Sequence, residues 1–399
     1  MSGNCCTLAA LLAPCDEGRF LTESLGRCPL RVEGDGDKFS QLITWKQIEW
    51  FLSRGGGNLT RVRVSNLDTV LPESSYSRVG ISGGTHIMVG ELTKLLRQGA
   101  TIQIDGAEEV FGPLATLTDA VADRLQVTVN ATVHASLCEL ATPQFSRNDH
   151  DVIVAQISGG ALWQVQAPGF RAAESQTPEH APGHDPEMQQ RQPALEQGQL
   201  LYIPKEWWRC ERPMNQASLA LRLSFRNPTG LDILGRLVDQ LSLIRAMRMD
   251  CPRFADEATQ SRYLTLIQRE LLAACTEPGL LLGFFKDMRA MADPRKLVGM
   301  PSVDMDSATL PLDTVIAPLV KYSDSLMPAT NSDAVEVFFE GKVIVLAADA
   351  GAVLGSLVRE GTGKTIRQLI LMCGGETAET WLPLAISKLL EHGLITTGG

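Results

Sequence analysis

Arg209 and Arg222 are the side chains of this sequence from which most chemistry could follow. Around Arg222, the leucines Leu219, Leu221 and Leu223 alternate with Ala220, Arg222 and Ser224, as in a strand with two different faces. If Arg209 and Arg222 both face the interior of the molecule, two permanently charged guanidinium forks would form a site for a carboxylate or a phosphate. The competing reading makes Arg222 one half of a structural ion pair with a neighbouring acid. His134 and His150, with Asp149 or Asp151, have donor types suited to an unconventional metal site or to proton transfer. Their spacing matches no ligand motif, which favours two ordinary histidines, partly buried or in loops. His180, His184 and Asp185 lie in a stretch whose composition accounts for them without a metal. Cys138 and Cys210 read as small packing residues. Residues 361–365, Gly-Thr-Gly-Lys-Thr, resemble the end of a phosphate loop. The glycine that the motif needs five residues before Gly363 is Val358, so the segment reads as a turn between helices.

The bulk composition narrows the classes. A net charge of −10 in 399 residues argues against a general nucleic-acid binder, which would carry a basic face. Nine cysteines, close together only at Cys5 and Cys6 and without a CxxC, read as reduced thiols. The apolar run Leu8 to Pro14 lacks a basic lead and is followed at once by acidic residues, unlike a signal peptide. No stretch approaches the ~20 apolar residues of a membrane helix. A cytoplasmic protein with no membrane or nucleic-acid partner is expected.

The elements that must position the site follow from periodicity. Residues 1–60 read as mainly helical, with an apolar stripe at Trp45, Ile48, Trp50, Phe51 and Leu52. Helix is expected from Leu92 to Gln98 and from Pro113 to Leu125, and strand from Ala100 to Ile104 and from Val127 to Val133. Asp151 to Ile157 reads as a strand, with Leu162 to Pro168 returning as its hairpin partner. Residues 168–193 read as an exposed insertion, and strands resume at Leu200–Pro204 and Ala217–Phe225. Many short strands joined by Gly and Pro turns predict a double-sheet jelly roll. Residues 231–248 and 256–274 are helical in spacing. After a Pro- and Met-rich connection, the tail from Val335 to Thr397 reads strand, strand and three helices, the order of a winged helix. That tail is more acidic than basic, which favours a peptide-docking role over phosphate contact.

Three blocks carry a resemblance: LLRQGATIQIDG at 95–106 with VNATV at 129–133, DHDVIVAQISGGALWQV at 149–165, and LEQGQLLYIPKEWWR at 195–209. In order and spacing they resemble the bacterial JmjC proteins of the ribosomal-oxygenase type. The resemblance implies an α+β protein with a double-stranded β-helix (jelly-roll, cupin, JmjC) domain at 1–228. It further implies a helical dimerisation segment at 229–300, a linker at 301–333 and a winged helix at 334–399. The apolar stripes of the helical segment also call for a partner surface, so a homodimer is expected.

Such oxygenases hold iron with two His and one carboxylate, leaving positions open for 2-oxoglutarate and dioxygen. Carried onto this chain, the His-x-Asp positions fall on Ser146 and Asn148, and the His closing Tyr-x-Pro-x-x-x-x-His falls on Arg209, after Tyr202 and Pro204. A hydroxyl and an amide are poor ligands for divalent iron, and a guanidinium has no lone pair to give. The cosubstrate positions agree. A basic residue two before Trp163 would pair with the distal carboxylate, and that position is Ala161; the Tyr expected two after Asn130 is Thr132. The expectation is therefore no metal and no cofactor in a barrel that binds a peptide or protein. Two alternatives stand beside it. One is metal-independent catalysis using Arg209 or Arg222 with His150 or Asp149. The other is an unorthodox hydroxylase that keeps iron and 2-oxoglutarate and acts on a peptide or ribosomal protein.

Overall fold

The computed structural model describes residues 7–54, 56–66, 69–80, 83–138, 146–168, 194–214, 216–290, 310–320, 325–328, 334–339, 342–360 and 363–398. It divides into two compact units, 1–227 and 228–399. The possible ligands His180, His184 and Asp185, like nearly all of the expected insertion, lie outside the described residues.

The first unit opens with helices α1 (Leu8–Leu12) and α2 (Glu17–Arg19), then strand β1 (Leu30–Val32) and helix α3 (Trp45–Ser53). A capping box starts α3: the Gln47 N–H donates to Thr44 Oγ1 and the Thr44 N–H donates to Gln47 Oε1. Strands β2 (Val62–Asn66), β3 (Thr69–Val70), β4 (Ser77–Val79) and β5 (Thr85–Ile87) precede helix α4 (Val89–Arg97). Then come β6 (Thr101–Asp105), helix α5 (Gly112–Leu125) with Pro113 in its first turn, and β7 (Val129–Ser136). The remaining strands are β8 (Ser146–Arg147), β9 (Asp151–Ser158), β10 (Gly160–Gln166), β11 (Leu195–Glu196), β12 (Leu200–Ile203), β13 (Trp208–Pro213) and β14 (Ser218–Phe225).

These strands form an eight-stranded sheet, β1-β12-β9-β14-β7-β6-β2-β3, a four-stranded sheet, β11-β10-β13-β8, and a separate β4-β5 pair, with antiparallel ladders throughout. The leucines of β14 point to one face of the large sheet, into a core shared with Leu114, Leu117 and Val121 of α5. Each of these side chains is at most 1% exposed, and burying one contributes about 1.5–3 kcal/mol. The other face carries a second cluster of Val152, Val154, Ala161, Trp163, Leu195, Leu201, Ile203 and Ala220, contributed by both sheets. Two sheets facing one apolar interior are the expected jelly-roll barrel.

Four expectations are corrected. First, β10 is not the hairpin partner of β9: β9 pairs with β12 and β14, and β10 with β11 and β13. Gly159 turns the chain from one sheet into the other, so adjacency in sequence is not adjacency in the ladder. Second, the N-terminal sixty residues are not simply helical, because β1 pairs with β12 at the edge of the large sheet. Within α3, Ile48 and Phe51 are buried, whereas Trp50 is exposed and lies under the Arg54 guanidinium at 4.5 Å. Third, the helix expected at 231–248 is α6 (Gly230–Leu241) followed by a short 3-10 turn, Arg245–Arg248. Fourth, the expected linker 301–333 contains strands β15 (Val315–Pro318) and β16 (Leu326–Pro328).

The second unit contains α6, α7 (Glu257–Cys275) and α8 (Leu280–Ala290). After β15 and β16 come β17 (Ala334–Phe339), β18 (Lys342–Ala347), α9 (Ala348–Glu360), β19 (Lys364–Thr365), α10 (Ile366–Met372), α11 (Ala378–Glu391) and β20 (Ile395–Gly398). Their sheets run β19-β15-β20 and β16-β17-β18. The expected strand, strand and three helices of the tail are all present. Lys364 and Thr365 are strand residues, and Thr365 caps α10 through a bond from the Gln368 N–H at 3.2 Å, so they are not part of a phosphate loop. Among the described residues, no helix is long and apolar enough to cross a membrane.

On the helix-covered side, Tyr202 ties the barrel to the N-terminal segment. Its ring meets Phe20 edge-on at 5.0 Å, and its oxygen accepts the Gly26 N–H at 2.7 Å. Its own hydroxyl donates to Asp151, a fully buried carboxylate that also accepts from Asn227 Nδ2 at 3.0 Å. Burial, then the Asp151 charge, pushes the Tyr202 hydroxyl far above its ordinary pKa, so it stays a donor. Tyr202→Phe leaves Asp151 short of one bond and is expected to cost about 2–3 kcal/mol in urea unfolding. A loss below about 0.5 kcal/mol would show that the hydroxyl does not hold the carboxylate.

Candidate functional site

Cross-strand register brings together residues far apart in sequence. Ser146 sits opposite Arg209, and Arg147 opposite Trp208, where β8 meets β13. The Arg147 guanidinium lies over the Trp208 ring at 5.5 Å and pairs with Glu206 at 3.3 Å. The Glu206 N–H closes the junction on the Asn148 carbonyl at 2.8 Å. Asn148 turns its amide oxygen to Arg209, whose Nη2 donates to it. His150 Nε2 lies 2.9 Å from the Asn148 side chain and His150 Nδ1 lies 3.0 Å from Asp149. That bond, more than any other contact, holds the Asp149 carboxyl below its ordinary pKa.

The barrel interior continues from Arg209. On β13, Arg209 and Glu211 share a face with Val165 and Trp163 of β10, their cross-strand neighbours. Facing them on the large sheet are Arg222, opposite Thr132, and His134, opposite Ala220. Arg222 forms an ion pair with Glu211 across the barrel and lies over the Trp163 ring at 5.4 Å. Thr132 also stands opposite Asp105, which pairs with Arg63 at 2.6 Å and accepts from Gln103 at 2.8 Å. Arg209 is pulled down to about 9, by burial first and then by Arg222, with Glu211 opposing; it remains a cation at neutral pH. His134 is driven well below its ordinary value by burial, then by Arg222, Arg209 and Arg63, and is a neutral imidazole.

Both arginines therefore face the interior, and the ion-pair reading of Arg222 is also what the structure contains. Ser146, Asn148 and Arg209 come together where β8 meets β13. Ala161 is 0% exposed within the apolar cluster, offering no cation to a carboxylate. Among the described residues, no three His, Cys, Asp or Glu side chains converge as a ligand set. Asp151 is bound to Tyr202 and Asn227, and both ring nitrogens of His150 are engaged. Cys210 is buried, and the Cys138 thiol donates to the Leu96 carbonyl at 3.2 Å, so both behave as packing residues. Sequence reasoning missed Glu211 and Trp163. The alternation of β13, with Glu211 two residues after Arg209, is the signal that could have found the acid.

Iron and 2-oxoglutarate, which the fold family implies, are not matched by these residues. The three positions that the resemblance assigns to iron ligands, Ser146, Asn148 and Arg209, offer a hydroxyl, an amide oxygen already accepting from a guanidinium, and that guanidinium itself.

Two antiparallel sheets closed over one interior, with His134, Arg209 and Arg222 turned inward, define the class as a cupin-type barrel. Residues 111–233 match the family model of the JmjC domain. The chain is similar in structure to YcfD, a ribosomal oxygenase from Escherichia coli, at 14% identity and a TM-score of 0.56, covering 97% of this chain and 99% of that one. A structure of YcfD in complex with cobalt and 2-oxoglutarate matches at 15% identity and a TM-score of 0.57, again over 97% and 99%. At these identities the likeness establishes a shared fold. No curated protein matches the chain in sequence.

The neutral His134 has a pH consequence. Its folded pKa lies below its unfolded one, so between the two the unfolded chain binds more protons and stability rises with pH. The contribution is present above the unfolded value, about 6.5, and is lost as pH falls below it. His134→Gln is expected to flatten this acid limb in denaturant midpoints measured from pH 7.5 to 5. An unchanged limb would show that His134 does not carry it.

Proposed function

We propose that this chain is a JmjC-domain protein that has left iron and 2-oxoglutarate chemistry and uses its barrel to bind a peptide or protein partner. One observation supports the reading: Arg209, at the position the resemblance gives to the third ligand, donates to Asn148, at the position it gives to the second, so that a cation would fill the place of the metal. A divalent ion there would be repelled and would find no imidazole or carboxylate to offset its lost hydration.

In this reading the tail from β15 to β20 is a winged helix that docks peptide, and α6 to α8 form a homodimer interface. Leu231, Leu234, Val238, Leu264, Leu272, Leu281 and Leu282 on those helices are each more than half exposed, an apolar surface that a second copy would cover. The tests are direct. Purified full-length chain incubated with Fe(II) should retain sub-stoichiometric iron by elemental analysis and form no succinate from 2-oxoglutarate. One iron per chain with succinate release would overturn the proposal in favour of an unorthodox hydroxylase. Light scattering should give twice the chain mass; a monomer at micromolar concentration would remove the dimer.

A further inference from the structure

The interior of the barrel has an unbalanced charge. Arg63 is paired with Asp105, Arg222 is paired with Glu211, and His134 is neutral. Arg209 is left over: among the described residues it makes no ion pair, and its one hydrogen bond goes to the Asn148 amide. Its other terminal nitrogen, Nη1, is buried and has no hydrogen-bond partner among the described residues. Two further donors beside it share that condition, Arg222 Nε and Trp163 Nε1, on side chains stacked against each other. Trp163 is only 2% exposed, so its N–H cannot turn to bulk solvent.

An unsatisfied buried donor costs about 1–3 kcal/mol, and an unpaired buried cation costs more. Three such donors around one surplus charge, in an otherwise close-packed barrel, describe a seat for an anion. We infer that the barrel binds one carboxylate group, held by Arg209 Nη1 beside the Arg222–Trp163 stack, and that this carboxylate is the part of the ligand the barrel recognises. The inference rests on the metal-free reading of the barrel proposed above. A carboxylate fits better than a phosphate because the surplus is a single charge. A phosphate dianion would exceed it unless His134 took up a proton against two or three neighbouring guanidiniums. A planar carboxylate also matches the guanidinium fork. The apolar cluster beside the seat, with Ala161, Val154 and Leu201, offers the carboxylate no second cation.

The test uses full-length protein dialysed against EDTA and then into EDTA-free, metal-free buffer, with propionate and inorganic phosphate as probes in separate calorimetric titrations. Propionate is expected to bind at one site per chain and more tightly than phosphate. Arg209→Met should weaken propionate by about tenfold or more, the loss of one charge-assisted bond. Glu211→Gln should strengthen it, because removing the acid whose charge acts on Arg209 raises the surplus charge. Misfolding cannot imitate a gain, so the second variant guards the first. Saturable propionate binding unchanged by Arg209→Met, tighter binding of phosphate, or no propionate binding by the wild-type chain would each overturn the seat. An iron titration run in parallel without EDTA separates the two claims. Stoichiometric iron defeats the metal-free reading, whereas absent iron with absent propionate binding defeats the carboxylate seat alone.

Discussion

The triple variant Ser146→His, Asn148→Asp, Arg209→His is expected to bind Co(II) at one ion per chain, at least about a hundredfold more tightly than the parent. Losing a single outer partner of a metal ligand typically costs about 10–100-fold in affinity, so supplying three ligands where none existed should exceed that. The backbone is already in place, since residue 146 lies opposite residue 209 in the β8–β13 ladder and the Asn148 side chain reaches Arg209. The substitutions also remove the guanidinium, whose charge opposes a divalent ion. The measurement is the visible absorption of bound cobalt during titration. Arg209→His alone should gain little, because one imidazole does not make a site. A triple variant that stays colourless while folded would mean that these three positions do not converge as ligands, and the account of the emptied site would fall with it.

Gly198→Ala is expected to be among the most damaging single substitutions in the chain, costing more than about 4 kcal/mol or preventing soluble expression. Gly198 has φ +84, where a side chain is strained, and it sits in the turn that carries the chain from β11 in the small sheet to β12 in the large one. A Cβ there would lie 1.9 Å from the Asp35 carbonyl oxygen and 2.5 Å from its carbon. Both obstacles are backbone, so no rotamer change relieves them. The Gly198 N–H also donates to the Gln156 carbonyl at 2.9 Å, which pins the turn onto β9. Comparing the yield and thermal midpoint of Gly198→Ala with those of Gln197→Ala, its exposed neighbour, checks the claim. Equal midpoints would show that the turn can shift.

Much of the fold could be read from the sequence because its strands alternate or run apolar. Leu219, Leu221 and Leu223 declared two faces of β14, and the continuous run of β9 declared burial on both. Strands such as β1, β8 and β11 were not legible, being two or three residues long with no period to detect. The exchange between sheets after Gly159 was equally hidden, since local pattern reports which residues are extended but not which edge they join. In the site, Ser146, Asn148 and Arg209 were reached through the resemblance to the JmjC oxygenases, counted from its strand motifs. Glu211 was missed because an acid inside a barrel is justified only by its partner, Arg222, eleven residues away along the chain and across the interior.

Strand β15 bears on how the C-terminal part of the chain can be handled. Its residues lie before position 334, yet it is the central member of the β19-β15-β20 sheet, hydrogen-bonded along both edges, with Ile316 wholly buried. A fragment excised at 334 would therefore expose two strand edges and an apolar slot, and would tend to self-associate through them. An autonomous version of this region has to begin upstream of Leu310, which packs against the same core.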